Sequence, residues 1–165
     1  MIENFTPIVI DDTDRRLLEQ LQLDCSLTNQ DLAERCGTSP ATCMRRVRRL
    51  VDAGIVTRQV ALLSPERLGA GLTAVAEITL DRQGVEHLDA FEARALGEAS
   101  VRQCYRVSPG PDFVLIVQVA DMSAWAALVD RLFTQDANVR NVKSYFSVKR
   151  AKFDTCVDLP VAARR

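Results

Sequence analysis

Between Pro40 and Val60 the chain carries five arginines, Arg45, Arg46, Arg48, Arg49 and Arg58, against one carboxylate, Asp52. A guanidinium is a planar fork that bridges guanine O6 and N7 or pairs with phosphate, so several on one helix suit double-stranded DNA. At about 100° per residue, Cys43, Met44, Val47, Leu50 and Val51 fall on one arc of the segment 39–51. Thr42, Arg45, Arg46 and Arg49 gather on the other, with Arg48 at the border. The hydroxyls at the start of this segment are placed to bond phosphate oxygens. Other chemistry is scarce. The sequence has no Gly-rich phosphate loop and no nucleophile-base pair, and its one histidine, His87, is read on the polar side of a helix between Glu86 and Leu88. Five cysteines, Cys25, Cys36, Cys43, Cys104 and Cys156, form an odd set without a CxxC pair, which points to neither a zinc site nor a disulfide framework. Cys36 and Cys43 read as small core residues.

The arginine-rich helix has to be positioned, and its neighbours are marked accordingly. Ser39 is a good N-cap, and Pro40 suits the first helical position because it has no N–H to leave unpaired. Before it, Thr28 and Asp31 have the spacing of a capping box for a short helix with Leu32, Ala33 and Cys36 on its inner face. Gly37 is a natural stop for that helix. Residues 11–24 predict the first helix, starting near Asp12 or Thr13, with Leu17, Leu18, Leu21 and Leu23 giving apolar periodicity. Two short helices joined by a glycine turn, the second cationic, make a helix-turn-helix.

The pattern changes after Ser64-Pro65. Residues 55–63 read as an extended hinge, and 72–80 alternate between apolar and mixed positions with period two. A helix follows over 85–96, then strands over 101–107 and 113–119 around the turn Pro109-Gly110-Pro111-Asp112. A second helix is read as capped by Ser123, with Trp125, Leu128, Val129, Leu132 and Phe133 at helical spacing, and a last strand covers 142–148. The order β-α-β-β-α-β is the ferredoxin-like split arrangement, whose helices cover one sheet face. Phe146 and Val148, with alternating residues of the first strand, are assigned to the other face, where a second copy would cover them. The expected class is α+β: a helix-turn-helix (winged-helix-like) domain over 1–54, hinge strand and linker over 55–71, a ferredoxin-like domain over 72–150, and a tail over 151–165.

Composition sets the outer bounds. The chain has 165 residues, 47% hydrophobic and 26% charged, with a net charge of −1. It therefore reads as an ordinary globular protein whose positive charge is focused on one element rather than spread. Residues 1–7 lack a basic stretch followed by an apolar run, and no long uncharged apolar span occurs, so a cytoplasmic, nucleoid-associated protein away from membranes is expected.

Together these segments resemble the Lrp/AsnC (leucine-responsive, feast/famine) family of transcriptional regulators. The resemblance is carried by Asp11-Asp-Thr-Asp-Arg-Arg-Leu-Leu, Leu32-Ala-Glu-Arg-Cys-Gly-Thr-Ser-Pro, Cys43-Met-Arg-Arg-Val-Arg-Arg-Leu, Ala53-Gly-Ile-Val and Asp121-Met-Ser-Ala-Trp, in that order. It implies a sequence-specific DNA-binding regulator, not an enzyme, with DNA-binding positions at Ser39, Pro40, Thr42, Arg45, Arg46 and Arg49. It further implies a small effector, commonly an amino acid, held at the contact between dimers by positions matching Gly110, Asp112, Met122, Ser123, Tyr145, Phe146 and Ser147. No metal or cofactor is implied, and assembly runs from homodimer to tetramer or octamer. In the effector turn, Pro109 and Pro111 stand where the family usually has glycine and an aromatic residue, which removes two backbone N–H donors. Two other readings stay open: an effector-independent architectural DNA-binding protein, and an enzyme like the siroheme decarboxylases, which share the architecture.

Overall fold

The computed structural model describes residues 9–69, 71–136 and 138–159; the segment 1–7 read above for targeting, and the tail beyond 159, lie outside them. The chain divides into two compact units. The first runs to Leu62 and takes in the tail from Lys152 onward, while the second spans Leu63–Ala151.

The first unit contains α1 (Asp12–Leu23), α2 (Asn29–Cys36) and α3 (Pro40–Asp52). Leu17, Leu32, Ala33, Cys36 and Cys43 form its core, with Leu21, Leu27 and Val47 packed against it. Burial holds the Cys36 and Cys43 thiols above their ordinary range, as small core residues behave. Both capping devices read around α2 and α3 are present. Thr28 and Asp31 satisfy each other's backbone N–H groups, and the Ser39 side chain accepts from Thr42 N. Gly37 closes α2 at φ 63°, in the left-handed region that favours glycine. The first helix starts at Asp12, as expected, with Asp11 as its N-cap and Asp14 three residues on completing a reciprocal box.

Three expectations in this unit are corrected. Met44 and Val51 are 57% and 46% exposed rather than core, since Cys43 and Leu50, both fully buried, set the axis of the packed face. Residues 55–63 form no strand, because a strand needs a partner for its N–H and C=O groups and no strand among the described residues pairs with them. The tail, read as a separate segment, packs with the first unit. Val157 N donates to Gln22 Oε1 at 2.6 Å, and Gln22 Nε2 donates to Val157 O at 3.2 Å.

The second unit is a four-stranded antiparallel sheet of β1 (Leu72–Leu80), β2 (Val101–Arg106), β3 (Phe113–Val119) and β4 (Val139–Phe146), in the order β2-β3-β1-β4. Helices α4 (Val85–Gly97) and α5 (Met122–Val129) follow β1 and β3. Ala74, Ala76, Ile78 and Leu80 of β1 and Phe113, Leu115, Val117 and Val119 of β3 are buried beneath them with Phe91, Ala95, Trp125 and Leu128. Phe91 and Phe113 pack with ring centroids 4.8 Å apart. Alternation along β1 and β3 produces this face directly, since neighbouring side chains in a strand point to opposite sides.

Here too the structure revises local readings. Asp121, not Ser123, caps α5, its side chain accepting from Ala124 N at 2.8 Å. A π turn over Asp130–Thr134 extends α5 and keeps Leu132 and Phe133 buried. Val85 and Leu96, read as inner positions of α4, are 67% and 69% exposed, because Phe91 and Ala95 fix its packed side. The last strand starts at Val139 and ends at Phe146, which leaves Val148 beyond the sheet and fully exposed. Phe146 lies opposite Ala74 in register and so belongs to the helix side, where it meets Trp125 edge-on at 5.5 Å. No helix among the described residues is long and apolar enough to cross a membrane.

Candidate nucleic-acid interface and effector surface

The six DNA-binding positions expected on α3 are not equivalent. Ser39 and Pro40 lie exposed at the helix start, where Ser39 Oγ also donates to Thr42 Oγ1 at 2.9 Å. Arg45 is exposed and has no ion pair among the described residues. Arg46 and Arg49 instead turn toward α1. Arg46 Nη1 donates to Asp11 Oδ2 at 2.7 Å and to Asp14 Oδ1 at 2.9 Å, and Arg49 Nη2 bonds the second oxygen of Asp14.

Asp14 is fully buried, the one charged residue in the described core. A carboxylate leaves water at a cost of several kcal/mol unless cations and hydrogen bonds replace its hydration. Arg46 and Arg49, together with the Asp11 N–H in the capping box at 3.2 Å, supply that replacement. Asp11, more exposed, sits below the usual carboxylate range, chiefly because it accepts the Asp14 backbone N–H and secondarily because of Arg46. Sequence reading missed Asp14. Its signal was its place three residues after the N-cap of α1, from which a side chain faces back along the helix.

The expected effector positions separate into two groups. Gly110, with φ 123°, and Asp112 form the β2–β3 turn, at the end of the sheet where Ile78 of β1 pairs with Phe113. Asp112 is committed there, since its Oδ2 accepts Leu80 N at 2.7 Å and its own N–H donates to Ile78 O at 2.8 Å. Met122 and Ser123 follow the far end of β3, where Leu72 pairs with Val119. Phe146 pairs with Ala74 near that far end, and Ser147 N donates to Thr73 O at 2.9 Å. Seven β3 residues at ~3.3 Å each put roughly 20 Å between the groups. Tyr145, opposite Val75, points away from the helices, and Phe146 points toward them. Two surface clefts of this unit are lined by other residues: Val129, Phe133, Thr134 and 139–142 in one, Arg94, Arg131, Gln135 and Asp136 in the other.

Comparison with known proteins fits this division. The winged helix-turn-helix DNA-binding profile matches residues 10–57, and the Lrp/AsnC ligand binding domain profile matches residues 73–157. The chain belongs to the Lrp/AsnC family. Among its relatives, an uncharacterized HTH-type transcriptional regulator of Haemophilus influenzae is 33% identical over 96% of this chain and 94% of its own length. The leucine-responsive regulatory protein of Salmonella typhimurium is 34% identical over 87% of each chain. A solved transcriptional regulator from Neisseria meningitidis, in complex with L-methionine, superposes with a TM-score of 0.85 at 33% identity, covering 91% of this chain and 97% of that one. The Lrp/AsnC assignment thus spans both units, the first carrying α3 and the second the two groups of expected effector positions.

Proposed function

We propose that this protein is a sequence-specific DNA-binding transcriptional regulator whose α3 enters the major groove and whose second unit self-associates and takes up an amino acid. The observation that carries the DNA half is α3 itself: a capped helix with exposed cations, braced from behind by a buried carboxylate on α1. A dimer would present two such helices to successive major grooves about one helical turn apart. The Ser39 and Thr42 hydroxyls at the helix start, which Pro40 opens, would meet phosphate. Arg45, unpaired among the described residues, would supply positive charge, and Arg46 and Arg49 would act from their pairing with Asp11 and Asp14. The protein is read as non-enzymatic and as acting in the cytoplasm on the nucleoid.

Self-association is supported by the uncovered sheet face. Opposite the helices it presents Val75, Ile116, Val114, Tyr105 and Tyr145, half-buried or exposed, which a second copy would remove from water. The effector half is supported by the division of its positions. A ligand the size of an amino acid does not span roughly 20 Å along a sheet, so the turn of one copy and the α5 end of another would have to combine between dimers. The L-methionine held by the Neisseria relative makes an amino acid the first ligand to try.

Binding of the full-length protein to genomic fragments, with random competitor and a series of salt concentrations, tests the first half. Selective retention that weakens steeply with salt is expected. Titration of L-methionine and the other amino acids, followed by light scattering and operator affinity, tests the second. Fragment selectivity that no amino acid alters would favour an architectural role, and no selectivity at all would remove the regulator reading.

A further inference from the structure

We infer that base readout belongs to an outer stripe of α3 made by Ala41, Met44, Arg45 and Arg48, while Arg46 and Arg49 are positioning residues held by Asp14. This deepens the regulator reading and rests on it. The stripe follows from the packed side of the helix. Cys43 and Leu50 are both fully buried and lie close to one angular position on α3. Counting about 100° per residue from them, Arg45 and Arg48 each lie roughly 140–160° away and Ala41 farther still. Arg46 lies only about 40–60° away on the same count. Its guanidinium therefore emerges beside the core, within reach of α1, and the two carboxylates there take it.

Exposure agrees with the count. The Arg48 side chain is 84% exposed and meets Asp52 only at 3.9 Å, a solvent-facing pair of little strength. Arg45 is exposed and unpaired among the described residues, whereas the Arg46 side chain is 22% exposed. Met44, at 57%, is a large apolar side chain set in water between cations. A thymine presents a methyl group in the major groove, and an apolar side chain meets it without losing a hydrogen bond. Arg45, in the N-terminal half of the helix, is placed for the bidentate contact with guanine O6 and N7, since the first turns of a recognition helix reach the bases. Arg48, farther along, is placed for phosphate.

Asp14 gives the stripe a fixed aim. One buried carboxylate holds two arginines that leave α3 one turn apart, so the helix is pinned to α1 against rotation about its own axis. Rotating it by one residue position would carry Met44 or Arg45 out of the groove.

The test is selection of binding sites from a random duplex pool by full-length wild-type protein and by Arg45→Ala, Met44→Ala and Arg46→Lys, each checked for a wild-type circular dichroism spectrum. Arg45→Ala is expected to lose a guanine preference at one position per half-site, by roughly tenfold or more, the discrimination a bidentate contact provides. Met44→Ala is expected to relax a thymine preference nearby. Arg46→Lys, with lowered affinity, is expected to return the wild-type consensus. The assignment is overturned if Arg45→Ala and Met44→Ala return the wild-type consensus, or if Arg46→Lys changes it. A wild-type protein that enriches no consensus would instead sink the regulator reading, which is a separate result.

Discussion

Asp112 and Leu80 lie 32 residues apart in sequence, yet the carboxylate of the first accepts the backbone N–H of the second at 2.7 Å. The turn between β2 and β3 is thereby fastened to the end of β1. In the family resemblance this aspartate is an effector position, suited to an ammonium group, but one of its oxygens already has structural work. Asp112→Ala is therefore expected to lower unfolding free energy by about 1–2 kcal/mol, the usual cost of leaving a partly buried donor unsatisfied. Asp112→Asn keeps an acceptor oxygen and should recover most of that loss. Urea denaturation of both variants checks this. An unchanged midpoint for the alanine variant would mean that water serves Leu80 equally well.

The Asp14 network predicts that charge removal on α3 is felt first as instability. Arg46→Ala leaves Asp14 buried with Arg49 as its remaining cation, and breaking one side of a buried pair costs about 3 kcal/mol. Thermal melting should show the loss, with DNA affinity falling alike for all sequences. Arg46→Lys should sit between, since its ammonium has three donors but a shorter reach. Wild-type stability in the alanine variant would show that Asp14 does not depend on this arginine.

Acid should weaken the protein through named carboxylates. Asp11 is lowered chiefly by the Asp14 backbone N–H and then by Arg46, and Glu98 is lowered chiefly by Arg131, whose Nη2 donates to it at 2.9 Å. A group whose folded pKa lies below its unfolded value contributes stability that is complete above the unfolded value, about 4 for these side chains. That contribution is lost as pH falls from there through the lower folded values. Melting temperature should thus be flat in this respect above about pH 5 and drop below about pH 4. Arg131→Gln should flatten part of that drop; an identical acid profile in the variant would remove Glu98 from the account.

The fold was legible wherever periodicity and capping chemistry agree. Thr28, Gly37 and Ser39 mark the helix-turn-helix because each solves a local backbone problem that neighbouring residues state in full. The alternation along 72–80 and the apolar run 113–117, resumed at Val119, fix two central strands for the same reason. What escaped was angular and long-range. Met44 passed for core because hydrophobicity alone places it there; only the burial of both Cys43 and Leu50 sets the axis that turns it outward. Arg46 passed for a free cation because its partners lie 32 and 35 residues away. Phe146 was given to the wrong sheet face because alternation along β4 separates its residues into two sets without saying which set faces the helices, and only the pairing of Phe146 with Ala74 decides that. The expected effector positions were read on three elements at a contact between dimers, and the distance along β3 that separates the turn from the α5 start needs strand register to see.

That separation predicts complementation between defective subunits. Consider Asp112→Asn, which removes charge from the turn, and Ser123→Tyr, which adds bulk at the exposed start of α5. If a ligand is held between the turn of one copy and the α5 end of another, each variant alone should lose its L-methionine response. Refolded together in equal amounts, they should regain it at roughly a quarter of the composite sites, the share that random assembly builds from two intact halves. Trp125 offers the readout. It is the only tryptophan in the sequence, is 6% exposed, and packs against Phe146 beside the α5 end, so ligand uptake there should shift its fluorescence. No regain in the mixed protein, with mixed assembly confirmed by native mass spectrometry, would mean that each site draws on a single chain, whereas a full response in Asp112→Asn alone would leave the turn with no part in it.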